Sequence, residues 1–395
     1  MMTLATATSA RPALAFDKLG VLIALVAVAG AFLPFSIFRA NRIVLGEGRM
    51  LIDALDGPSA WLTIAAIAVG ILVALIRLAP AVKLAIALAV LAVAFVMIGR
   101  SATYLTPADN TFARVSPGAG FWLLTFAFAL MVADALTRLR FRPWPRIAML
   151  AAVGAALWLL LWSGAWNDLS ILKEYANRAS AFWNEARTHL LLAFGSVAVA
   201  TVAGVPLGIL CYRVRPVRAA VLNVLNIVQT IPSIALFGLL IAPLAWVAAN
   251  VPGASTIGIS GIGTTPAMVA LFAYSLLPIV ANTVVGLENV PEAANDAARG
   301  MGMTGGQRLM SVELPLAFPV ILTGIRIVLV QNIGLATIAA LIGGGGFGVF
   351  VFQGIGQTAM DLVLLGAVPT VALAFAAAVV LDAIVEMVSV GGRTQ

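Results

Sequence analysis

Residues 287–315 read LENVPEAANDAARGMGMTGGQRLMSVELP. Local rules parse this stretch as helix, turn, helix. Asn289 is expected to cap the first helix, Pro291 suits its first turn, and Glu292 completes an N-x-x-E box. The Ala-rich run from Glu292 to Met301 is then helical, and Gly300 and Gly302 end it, because glycine accepts the left-handed geometry of a helix terminus at little cost. Thr304 and Gln307 form a second capping box, opening a short helix expected to stop before Pro315. Each helix has about ten residues, too few to be stable alone in water. Such a pair calls for a docking surface; the alternative is an ordinary loop with local helicity.

Working outward, both flanks are apolar. The chain has 395 residues, 62% hydrophobic and 10% charged, with a mean hydropathy of +1.08. Soluble chains are about 45–50% apolar and about 25% charged. That excludes a soluble enzyme, a disordered regulator and a fibrous repeat, and leaves an all-α polytopic membrane protein. A transmembrane barrel alternates polar and apolar residues, whereas these runs are continuous. About ten transmembrane helices are expected, near 19–38, 60–79, 82–99, 120–137, 147–163, 188–211, 219–248, 266–287, 316–340 and 361–389. The first reads as an uncleaved span rather than a secretory signal, because its apolar stretch from Leu19 to Phe38 is long and Arg39 and Arg42 follow it.

Two textures divide the chain. Residues 1–163 hold about five Ala/Leu/Val-rich spans and read as an accessory membrane module. Residues 164–187 are polar and read as an amphipathic linker lying on the membrane surface. Beyond them the spans carry Pro206, Gln229, Pro232, Pro278, Asn282, Pro319, Asn332 and Pro369. Broken helices and amides are tolerated in a bilayer where helices pack on one another or line water, so 188–390 reads as the working part. Asn223, Asn226 and Gln229 recur at three-residue steps on one helix face; with Asn282 and Arg326 they are the candidates for a translocation path, buried interhelical hydrogen bonding being the other reading. Arg326, a charge inside a span, needs a partner, and Asp382 or Glu386 could serve. Gly204-x-x-x-Gly208 permits close helix approach and reads as packing.

The loop at 288–315 resembles the coupling loop of the membrane permeases of binding-protein-dependent ABC importers. Their pattern is E-A-A, three residues, Gly, nine residues, I-x-L-P. Here Asp296-Ala297-Ala298 is followed by three residues, Gly302, nine residues, and Val312-Glu313-Leu314-Pro315. Asp296 stands for Glu and Val312 for Ile, which keeps charge and shape. Glu292-Ala293-Ala294 just upstream fails the pattern, since Ala298 rather than a glycine lies six residues on. Asp296, Ala297, Ala298, Gly302, Val312, Leu314 and Pro315 are therefore the expected contacts to an ATPase. Around Gln229–Gly238 (QTIPSIALFG), Leu341–Gly348 (LIGGGGFG) and Gln353-Gly354-Ile355 the chain is similar to the osmoprotectant branch, which imports glycine betaine, choline, carnitine and relatives.

The resemblance implies a five-helix permease core over roughly 185–390, ABC ATPase subunits, an extracytoplasmic binding protein, a second permease copy or a related permease, and surrounding lipid, all in the bacterial inner membrane. ATP-driven closure of the ATPase pair would push the coupling helices and turn the bundle outward. A quaternary ammonium is usually gripped by an aromatic cage; Tyr104, Tyr175, Tyr212 and Tyr274 are scattered, so the cage is expected in the binding protein. A permease for methionine or another amino acid could share this architecture.

Charge tests the topology. With the coupling loop inside, Arg11, Lys18, Arg77, Lys83, Arg138, Arg140, Arg142, Arg146, Arg213, Arg215, Arg218, Arg299, Arg308 and Arg393 fall inside, fourteen in all, against eight outside, Arg42 among them. This is the positive-inside bias. It also accounts for the net charge of +7 without nucleic acid, because the basic residues occupy short loops. No Gly-Lys pair exists for a phosphate-binding P-loop, so the ATPase must be another chain. The Gly343–Gly346 run reads either as a turned or mobile loop or as a contact sensing the docked binding protein. Cys211 and His189 are each the sole residue of their kind, so no disulfide, metal site, catalytic constellation or cofactor is expected. An ion-coupled secondary transporter would want paired intramembrane carboxylates and inverted repeats, and neither stands out.

Overall fold

The computed structural model describes residues 17–41, 44–107, 110 and 112–391. Arg11, Arg42 and Arg393 of the charge count lie outside them. Two compact units emerge: one runs up to Phe141 and takes in Val153–Lys173, the other takes in Arg142–Ala152 and everything from Glu174 onward.

In the first unit, α1 (Lys18–Ala31) is capped by the Asp17 side chain, which accepts from the Leu19 N–H. Strands β1 (Ser36–Arg39) and β2 (Glu47–Arg49) follow, then α2 (Leu51–Ala54), α3 (Gly57–Leu75), α4 (Pro80–Leu105), β3 (Arg114–Pro117) and α5 (Ala119–Leu139). The strands form a small antiparallel sheet in the order β2-β1-β3, with Ser36 opposite both Arg49 and Pro117. Ile23, Ala27, Ile67, Val90, Leu124 and Phe128 share one buried core.

The first span departs from expectation. Against the span expected at 19–38, α1 stops at Ala31 after 14 residues, about 21 Å of helix against a hydrocarbon core of about 30 Å. Pro34 supplies no N–H and disfavours helix before it. Beyond it the backbone joins the sheet, the Phe35 N–H donating to Arg49 O at 2.9 Å and the Phe35 carbonyl accepting from Gly118 at 2.8 Å. The helix still runs the length of its unit, since Asp17 N–H reaches Leu75 O at one end and Pro34 O receives Gly120 N–H at the other.

Helix α6 (Pro143–Trp162) and α7 (Ser170–Asn177) lead into the second unit. There α8 (Ala179–Leu190), a π turn at Leu191–Gly195 and α9 (Ser196–Arg213) make one rod of 35 residues, so helix begins nine residues before the expected span at 188. The span expected at 219–248 is broken into α10 (Arg215–Thr230), α11 (Ser233–Leu239) and α12 (Ile241–Asn250). Pro232 forces Ile231 into extended backbone with ψ 127° and ends α10. Then come α13 (Thr264–Glu288), α14 (Glu292–Gly300), α15 (Gly305–Arg308), a π turn at Leu309–Glu313, α16 (Leu314–Ile338), a 3-10 turn at Ala339–Ile342, α17 (Gly348–Gly356) and α18 (Met360–Gly391). Among the described residues nine helical stretches are long and apolar enough to cross a membrane, with α1 a shorter apolar tenth.

Helix α13 packs against both α9 and α16. Gly208 makes the first contact possible: a Cβ there would lie 2.6 Å from Thr283 Cβ. Asn332, fully buried on α16, donates to Ser196 Oγ on α9 and Ser275 Oγ on α13, both at 2.8 Å, and so pins the three helices together.

Candidate functional site

The 288–315 segment is built from the end of α13. Asn289 continues the helical backbone there and its N–H bonds Val285 O, so it closes α13 instead of capping α14. The expected N-x-x-E box does not form; Pro291 precedes α14 and makes no side-chain cap bond. Val290 explains the difference, because it is buried with Leu287, Ala317 and Ile321 and draws the chain inward.

Helix α14 ends on Gly302, at φ +80°. The Gly302 N–H donates to Arg299 O at 2.9 Å and the Met303 N–H to Ala298 O at 3.1 Å. These are the two bonds of a Schellman terminus, which needs a left-handed residue at this point. A Cβ at Gly302 would meet nothing within 4 Å, so the requirement for glycine is one of backbone conformation. Ala293, Asp296, Ala297 and Gly300 are exposed along one stripe, while Ala298 is buried on the opposite side. Asp296 pairs with Arg299 at 3.3 Å on the surface. The stripe carries only short side chains, a flat face that another protein can approach closely.

The second capping box forms as read. Gln307 N–H donates to Thr304 Oγ1, and Thr304 N–H to Gln307 Oε1 at 2.8 Å. The helix does not stop before Pro315, however. It passes through the π turn into α16, giving one helical run from Gly305 to Ile342 of 38 residues. Leu314 N–H bonds Leu309 O, a five-residue closure. The ladder is thus already offset where Pro315 lacks a donor, and the wider turn absorbs the proline ring. Val312 and Leu314 are half-buried, Pro315 is exposed, and Leu314 and Pro315 line an apolar groove of about 390 Å³ with Thr201, Val205 and Phe318.

One residue escaped the sequence reading. Glu313 fills the free position of the V-x-L-P element, yet its side chain is only 1% exposed. Its carboxylate accepts from Arg308 Nε at 2.9 Å and from an Arg213 guanidinium nitrogen at 3.1 Å. Arg213 is the last residue of α9, and it also donates to Gly305 O at 3.2 Å. Nearby, Arg218 of α10 forms an ion pair with Glu288 at the end of α13. The only signal in sequence was an acidic residue among arginines.

The other named residues find their partners in separate places. Asn223 and Asn226 are exposed on α10. Gln229 donates to Tyr274 O at 2.9 Å, and the Tyr274 hydroxyl in turn bonds Ile231 O, which ties the broken end of α10 to α13. Asn282 donates to Pro278 O of its own helix at 2.8 Å and sits where Gly324 of α16 comes close. Arg326 pairs with Asp382, and Arg146 bridges Asp382 and Glu386 at 3.0 Å each. Gly343–Gly346 is a tight turn, with Gly343, Gly345 and Gly346 at positive φ and Gly346 N–H held by Glu185 Oε2 at 2.6 Å.

Long apolar helices, broken by prolines and π turns, with α14 and the capped start of α15 between two of them, define a polytopic membrane protein. Comparison with known proteins gives the family. Residues 204–390 match the model described as binding-protein-dependent transport system inner membrane component, and residues 17–172 match the one described as ABC transporter permease YehY, N-terminal domain. The chain belongs to the binding-protein-dependent permeases of ABC importers, and it is a multi-pass inner-membrane transport subunit, not the catalytic one. It is 46% identical over 179 residues to the osmoprotectant import permease protein OsmW of Salmonella typhimurium, covering 45% of this chain and 78% of that one. It is 38% identical over 186 residues to the glycine betaine/carnitine/choline transport system permease protein OpuCB of Bacillus subtilis, covering 47% and 78%. An inward-facing crystal structure of the MetNI methionine ABC transporter aligns with a TM-score of 0.47 and 25% identity over 53% of this chain and 97% of that one. Membership implies ATPase and binding-protein partners.

Proposed function

We propose that this permease carries a small quaternary-ammonium osmolyte such as glycine betaine or choline, delivered by a separate binding protein, and that its 288–315 segment docks the ATPase. The observation that carries the substrate reading is the similarity to relatives named for osmoprotectant, carnitine and choline import. The docking reading is supported by the exposed small-residue stripe of α14 and the Schellman turn at Gly302. Asp296, Ala297 and Gly302 make the contact surface in this reading. Ala298, Val312, Leu314 and Pro315 hold that surface in shape. A second copy, or a related permease, completes the path. Residues 188–390 form the transport domain, with Asn223, Asn226, Gln229, Asn282 and Arg326 beside the path; residues 1–163 are an accessory module joined through the linker at 164–187.

Reconstitution with the ATPase and binding protein tests both halves. Glycine betaine, choline or carnitine is expected to stimulate ATP hydrolysis and uptake; a response to methionine or proline alone would remove the substrate claim and leave the family assignment standing. Gly302→Val places a β-branched residue in left-handed backbone, which costs about 1–2 kcal/mol or more. ATPase association is expected to fall about tenfold with normal membrane insertion. Wild-type association in that variant would sink the docking claim.

A further inference from the structure

We propose that Glu313 is the positioning residue through which the docking segment moves α9, an inference that rests on the docking role proposed above. The carboxylate is buried, and its two donors come from different elements: Arg308 from α15 in the docking segment itself and Arg213 from the end of α9. Arg213 is held a second time, by the Gly305 carbonyl at the first turn of α15. One guanidinium therefore reads both the position of the turn and the charge inside it.

The surroundings give this clamp mechanical meaning. Directly after Arg213 the chain bends at Val214 (φ −122°, ψ 88°) before α10 begins, so α9 ends at a corner with Arg213 as its grip. Directly after Arg308 comes the π turn at Leu309–Glu313, a place where a helix can rotate locally without losing its ladder. A push on α14 and α15 thus has two routes: along the backbone into α16, where the π turn yields, or through the Arg308 and Arg213 side chains, which Glu313 joins across that turn, into α9. The second route is the stiffer one, since a buried carboxylate with two charged donors does not release either readily. Helices α9 and α16 are also joined, together with α13, by Asn332, so a clamp at this end makes them turn together.

The test uses the full complex with its ATPase and binding protein in lipid nanodiscs. Nitroxide labels go on Ala293→Cys of α14 and Val202→Cys of α9, both exposed positions, in a Cys211→Ser background. In the wild-type background the label distance is expected to be the same with and without ATP, because the segment and α9 move together. In Glu313→Gln the ATPase is expected to stay bound, the distance to change on adding ATP, and stimulation of hydrolysis by glycine betaine-loaded binding protein to fall about tenfold. Arg213→Gln added to Glu313→Gln is expected to cause no further loss, since both remove one interaction. Arg213→Lys keeps the charge but loses the fork, and it is read the same way should Glu313→Gln fold poorly. An ATP-independent distance in Glu313→Gln, additive losses in the double variant, or loss of ATPase binding on Glu313→Gln would each overturn the proposal. Failure of the docking role itself registers separately, as undiminished ATPase association in Gly302→Val.

Discussion

The two units differ in whether their helices are interrupted. In the first, among the described residues, prolines within helices occur only in the first turns of α3 and α4, and the helices run without internal breaks. Its buried charges are closed in one local set: Lys83 Nζ lies 2.8 Å from Asp17 Oδ2 and 3.1 Å from Ala74 O, with Arg138 3.3 Å from the same carboxylate. In the second, Pro206, Pro278, Pro319 and Pro369 sit inside helices, and two π turns interrupt the ladder. Its polar contacts join different helices through Asn332, Gln229 and Glu313, as the Lys83 set does in the first, so the difference lies in the breaks. Prolines and π turns are where helices bend. The contrast separates a unit built to hold its shape from one whose elements can be repositioned.

Three measurements sharpen or break that comparison. The largest effect is expected from Lys83→Met, which leaves the buried Asp17 carboxylate with only the half-exposed Arg138 as a charged partner; breaking a buried pair costs up to about 3–5 kcal/mol. A melt of the first unit, followed by protease resistance, should shift strongly while basal ATP hydrolysis through the second unit stays near wild type. An unchanged melt would remove the rigid-module half of the contrast.

Next in size is Asn332→Leu, which deletes the hydrogen bonds to Ser196 and Ser275. Bonds of this kind between membrane helices are worth about 1–2 kcal/mol. Uptake should fall with ATPase association intact. Equal loss of both would show that the three-helix junction supports the docking segment as well.

The smallest effect is expected from pH. The Lys83 hydrogen bond holds the Asp17 carboxyl below its ordinary value of 3.8, and the Lys83 and Arg138 charges add to this against the cost of burial. A depressed carboxyl stabilises the fold fully above its unfolded value, and the contribution is lost as pH falls through the lower folded value. The melting temperature of the first unit should therefore be insensitive to Asp17 at neutral pH and decline below about pH 4. Lys83→Met should flatten that decline, and an identical acid slope in the variant would exclude Asp17 as its origin.

What could be read from sequence was local or cumulative. The Thr304–Gln307 box needs only residues three apart and forms as read. The Gly302 terminus follows from glycine's freedom in left-handed backbone, and the spans from summed hydropathy over many residues. The misreadings share one cause. Asn289 lost its cap to the burial of Val290, the first span lost residues 32–38 to pairing with strands from elsewhere, and the helix ran past Pro315 because a π turn made room. Each depended on contacts distant in sequence or on an offset in a helical ladder that no propensity encodes.

Composition by itself determined that this chain is a bundle of membrane helices, because so much apolar surface has no other stable home. The local pattern around Gly302 and Thr304 determined where α14 ends and where the next, capped helix begins. Only the tertiary structure decided which charges meet. Glu313 lies 100 residues from Arg213 in sequence and Lys83 lies 66 from Asp17. A buried charge is stable only where folding brings its counterpart within hydrogen-bond reach, and that meeting is set by how the helices pack.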